Sequence, residues 1–132
     1  MNPKENTMRF IALFAALMLA GCQSGQPVDW PTVCNTLTEG KATAEDFLPL
    51  LEPEQQVKLT QVIALVEPAR AAACAKAEDP DAPVDPAALI DMALEAAMAY
   101  VLSLEDPAKQ QRALLVILGI KTALRIAGAV KG

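Results

Sequence analysis

The chain has 132 residues, 53% hydrophobic and 20% charged, with a formal net charge of −5. That fits one small folded domain and excludes a disordered or fibrous chain. Twenty-five alanines and ten prolines against five aromatics favour helices stopped at proline over a β-sandwich. With no histidine, His-based acid–base catalysis, Ser-His triads and His-ligated zinc are all removed.

The first element in chain order is a targeting segment. Lys4 and Arg9 form a basic start, and Phe10 to Ala20 is an uninterrupted apolar run. As a helix that run would reach roughly 16 Å, too short for a bilayer core of about 30 Å, so it reads as a signal peptide over residues 1–21. Its end, Leu19-Ala20-Gly21-Cys22, resembles the lipobox of bacterial lipoproteins. The resemblance implies diacylglycerol on the Cys22 sulfur, cleavage before Cys22 and acylation of the new amino terminus. Gln23 stands where an Asp would retain an enteric lipoprotein in the inner membrane, so by the same resemblance the destination is the periplasmic face of the outer membrane. The resemblance covers the targeting segment alone and implies nothing about the mature fold.

Without residues 1–21 the chain has 111 residues and a net charge of −6, unevenly spread. Residues 22–106 carry −11, whereas residues 107–132 hold Lys109, Arg112, Lys121, Arg125 and Lys131 with no acid. Such asymmetry suits a basic helix lying on an acidic body, with anionic lipid as the alternative. The compartment and the acidic total exclude nucleic acid. With Cys22 lipidated, Cys34 and Cys74 remain. In an oxidising periplasm they read first as one disulfide, worth about 4 kcal/mol for a loop of this size. Two buried free thiols or a bond between chains are the alternatives.

Residues 23–28 are a tether reaching roughly 20 Å when fully extended, which holds the domain over 29–132 close to the membrane. Asp29 opens a short helix placing Trp30, Val33, Cys34 and Leu37 on one face. Thr43 to Asp46 resembles a capping box, predicting a second short helix with Phe47, Leu48 and Leu51. A third helix is expected over about 53–77, starting at Pro53 and kinked or broken at Pro68. If it resumes in phase, Cys74 returns to the face of Ile63, so both cysteines lie on core faces.

Residues 78–84 form an acidic, proline-rich loop. Glu78, Asp79, Asp81 and Asp85 make calcium worth weighing, but the prolines and missing glycine favour a solvated linker over an EF-hand. Asp85-Pro86 and Asp106-Pro107 each pair an N-cap with proline at N1, opening helices over about 86–104 and 107–128. The first is apolar almost all round, apart from Asp91 and Glu95, which predicts a central position. The second places Ala113, Val116, Ile117, Ile120, Leu124 and Ala127 inward. Gly119, Ala123 and Ala127 form a small-residue ridge for close packing, with Lys121 and Arg125 toward water.

Acid pairs such as Glu45/Asp46 and Glu105/Asp106 fall at helix starts, where the macrodipole explains them. Ser24 and Ser103 lack a neighbouring base, and no phosphate-binding glycine loop is present. The expectation is therefore an all-α bundle of four to five helices, stapled by Cys34 and Cys74, without enzymatic activity, cofactor or metal. It would be anchored through Cys22 and act by structure or binding. Its expected partners are the membrane, through the lipid, and an envelope protein close to the membrane surface. The rivals are a phage lysis lipoprotein resembling the one-chain spanins, which needs a C-terminal membrane span, and a phage lipoprotein that blocks an outer-membrane receptor.

Overall fold

The computed structural model describes residues 27–130, which are helices and turns with no strand among them. The elements are α1 (Trp30–Phe47) with a 3-10 turn at Leu48–Leu50, α2 (Pro53–Glu78), α3 (Pro86–Leu102) and α4 (Pro107–Ile126). Each helix packs on the next, and α4 closes back onto α1. Short loops make consecutive helices antiparallel. Two end-to-end hydrogen bonds show the same for α1 and α4. Lys109 Nζ reaches the Leu50 carbonyl at 3.4 Å, and Asp29 N–H donates to the Ala127 carbonyl at 2.9 Å.

Three helix starts are fixed by the local chemistry the sequence predicts. Asp29, Asp85 and Asp106 accept from the backbone N–H of Thr32, Ala87 and Ala108 at 3.2, 3.1 and 3.0 Å. Each bond satisfies a donor that the first helical turn leaves open. Pro53 stands at the first position of α2, as expected.

Two expected interruptions are absent. The helix begun at Asp29 runs through Thr43 without a break, so the two short helices are one. Thr43 Oγ1 donates to the Glu39 carbonyl one turn back, at 2.9 Å, instead of capping a new start. Likewise α2 is continuous through Pro68. Proline removes one backbone bond there, but Ala69, Ala72 and Ala73 just beyond it are buried, so packing keeps the second half helical and the chain does not break.

The core lies in two parts. Val33, Leu37, Ala69, Ala73, Ile90, Leu124 and Ala127 form one cluster, beside the Cys34–Cys74 disulfide, whose Cα atoms are 4.7 Å apart. Leu51, Leu59, Val62, Tyr100, Val101 and Leu104 form the other, at the opposite end. The helix expected to be central, α3, is not: Met92 and Leu102 are exposed, because a ring of four helices leaves each with a wet side.

The small-residue ridge of α4 is also corrected. A Cβ at Gly119 would meet nothing within 4 Å, whereas Ala127 is buried. Steps of four residues advance about 40° each around a helix, so the ridge spirals off the buried face before reaching Gly119. The glycine that permits close approach is Gly40 in α1, where a Cβ would lie 2.9 Å from Ile120 Cδ1 of α4. Gly128, at φ +87°, ends α4 in the left-handed conformation that favours glycine and turns the chain against Val28.

Candidate functional site: an apolar cavity between the two core clusters

The two clusters do not meet fully. Between them is a partly open cavity of about 110 Å³, to which all four helices contribute. Leu37 and Ile90 reach it from one cluster, and Leu59, Val62, Tyr100 and Val101 from the other. Small side chains at facing positions leave the space: Ala44 on α1, Ala93 and Ala97 on α3, and Ala113 on α4. Its volume is somewhat below the roughly 150 Å³ of an engineered apolar cavity that binds benzene.

The polar groups of the wall are few. The Thr43 hydroxyl is bonded to its own helix. The Tyr100 hydroxyl is buried and has no hydrogen-bond partner, and burial pushes its pKa up, so it stays protonated at neutral pH. Its oxygen is sealed off from the open space of the cavity, and leaving it unpaired costs about 1–3 kcal/mol.

The chemistry-bearing residues singled out in the sequence are distributed differently. Cys34 and Cys74 are joined, the inward phase across Pro68 being retained. Cys22 lies outside the described residues. In the acidic loop, Asp79 Oδ1 accepts from the Asp81 N–H at 3.1 Å and Asp85 caps α3. No group of three acids or cysteines among the described residues could hold a metal ion. The Ser103 hydroxyl donates to the Tyr100 carbonyl at 2.6 Å, closing the end of α3.

One charged cluster ties α1 to α2. Glu67 accepts from Arg70 Nη2 at 2.6 Å and Arg70 Nε at 2.9 Å, and from Lys41 Nζ at 2.7 Å. These bonds, Arg70's first, hold the Glu67 carboxyl down from 4.5 to about 2. The folded state therefore binds this proton less readily than the unfolded chain. The resulting stability is complete above pH 4.5 and is lost as pH falls from there to about 2. Glu67 is 41% exposed, so solvent screening limits the cluster to about 1 kcal/mol. Glu67→Gln should lower the urea midpoint slightly at pH 7 and leave it unchanged at pH 2.

No family model, curated protein or solved structure matches the chain. The cavity itself was missed in the sequence. Its signal is the set of small residues at inward positions of α1, α3 and α4, which leave space instead of bringing backbones together.

Proposed function

We propose that the chain is an outer-membrane lipoprotein whose periplasmic domain acts by binding, with the apolar cavity as its ligand site. The anchor rests on the basic start, the apolar run and Leu19-Ala20-Gly21-Cys22. The Cys34–Cys74 bond suits an oxidising compartment. The observation that carries the binding role is the cavity, lined almost wholly by apolar side chains from four helices. That lining fits a small, uncharged, apolar ligand. The spanin-like reading loses its main support, since no helix among the described residues is long and apolar enough to cross a membrane.

The test is binding of toluene, a single uncharged ring, to the mature protein, read by isothermal titration calorimetry. Saturable binding is expected. Ala97→Leu, which places a side chain in the cavity, should abolish it while raising stability by about 1 kcal/mol. Unchanged toluene binding in that variant, or none in the parent, with the fold intact by circular dichroism, would overturn the cavity as the site.

A further inference from the structure

The surface of α4 that faces away from the bundle has the wrong character for a face turned to water. Leu115, Leu118 and Ile126 are 65%, 45% and 80% exposed. At 100° per residue they fall within one arc of the helix, with exposed Arg112 and Arg125 on its two sides. The basic helix was expected to lie on the acidic body through its charges, but it packs on α1 and α3 through apolar residues such as Ile120 and Leu124. The three ion pairs among the described residues are confined to Lys41, Glu45, Glu67 and Arg70. The cations of α4 take part in none of them, and α4 contains no acid.

We infer that the outward face of α4 docks on an anionic lipid surface, lying in the headgroup layer with its long axis along the membrane. An exposed aliphatic stripe edged by arginines is the pattern of an interfacial helix. A symmetric pair of α4 faces would put four arginines along one seam with no acid of α4 to pair them, so the charge favours an anionic occupant. The fold also brings the chain's point of attachment to this helix. Asp29 N–H bonds to the Ala127 carbonyl at 2.9 Å, and Val28 packs against Gly128, one turn or less from Ile126. The inference rests on the anchored reading above in this respect: a lipid on Cys22, with roughly 20 Å of tether, emerges beside the C-terminal end of α4. The helix, roughly 30 Å long, can then lie on the surface that holds the lipid. Anchor and helix would together fix the orientation of the domain, two weak signals acting as one.

The test uses the mature protein purified from membranes and reconstituted in vesicles with 30% anionic phospholipid and brominated acyl chains. A single tryptophan is placed at Leu118→Trp or, as a control on α2, at exposed Val57→Trp, each with Trp30→Phe. The expected result is quenching and a blue shift at position 118 but not at 57. Arg112→Gln with Arg125→Gln should shift the docking equilibrium roughly 30-fold toward the undocked state, at two phosphate-attracted charges lost. The signal at 118 then falls although the lipid keeps the protein on the vesicles. Equal, weak quenching at both positions, with helicity and melting unchanged, would overturn the docking face. The intact mass of the same sample reports the anchor separately. A chain without lipid that still binds anionic vesicles and is quenched at 118 would remove the anchor and support the face.

Discussion

Cys74→Ala is expected to lower the stability of the domain by about 4 kcal/mol and its melting temperature by about 20 °C. Cys34 and Cys74 are 40 residues apart in sequence, and their bond closes a loop that contains the rest of α1, the turn and most of α2. Without it the unfolded chain regains the freedom of that loop, while the folded state keeps its helices. A domain of this size has a total stability of about 5–15 kcal/mol, so the loss is a large share of the whole. Chemical denaturation of the oxidised protein and the variant measures it directly. A difference under about 1 kcal/mol would mean that the unfolded chain without the bond still keeps these two segments together.

Leu124→Ala should cost about 3 kcal/mol, and the loss should be concentrated in α4. Leu124 is fully buried and is the one residue of α4 among the buried members of the cluster beside the disulfide, with half-buried Ile120 and the cap residue Ala127 packed beside it. Earlier in the helix, Ala113, Val116 and Ile117 border the cavity, so the attachment there is looser. Amide exchange should therefore accelerate most in the C-terminal half of α4 and at Asp29, whose N–H bonds to Ala127. Leu118→Ala, six residues away on the exposed side, should change stability by less than about 0.5 kcal/mol. Equal losses in the two variants would show that the outward face of α4 is covered in the free protein.

Those contrasts follow from which parts of the fold are set locally. Asp29, Asp85-Pro86 and Asp106-Pro107 could be read as helix starts because a cap depends only on residues within one turn. The phase that puts Cys34 and Cys74 inward is also local, surviving Pro68 because the buried alanines beyond it continue the same helix. Thr43 misled because the same hydroxyl that caps a helix can also bond to the carbonyl one turn back, and α1 offers that of Glu39. Gly119 and Gly40 are alike as sequence, and only the rotation of α4 against α1 decides that Gly40 meets Ile120 while Gly119 meets nothing. The cavity depends on Ala44, Ala93, Ala97 and Ala113 facing one another across three helices, a coincidence no single helix records. The outward stripe of Leu115, Leu118 and Ile126 was hidden by the richer inward face of the same helix.

The proposed binding at the cavity and the proposed docking through α4 both depend for their biological setting on the proposed lipid on Cys22. The most direct measurement is the intact mass of the protein purified in detergent from the membranes of expressing cells, with tandem fragmentation of its amino terminus. The account predicts a chain that begins at Cys22 and carries three acyl chains, and a Cys22→Ser variant that keeps residues 1–21. A water-soluble chain without lipid, or a Cys22→Ser variant processed like the parent, would contradict it.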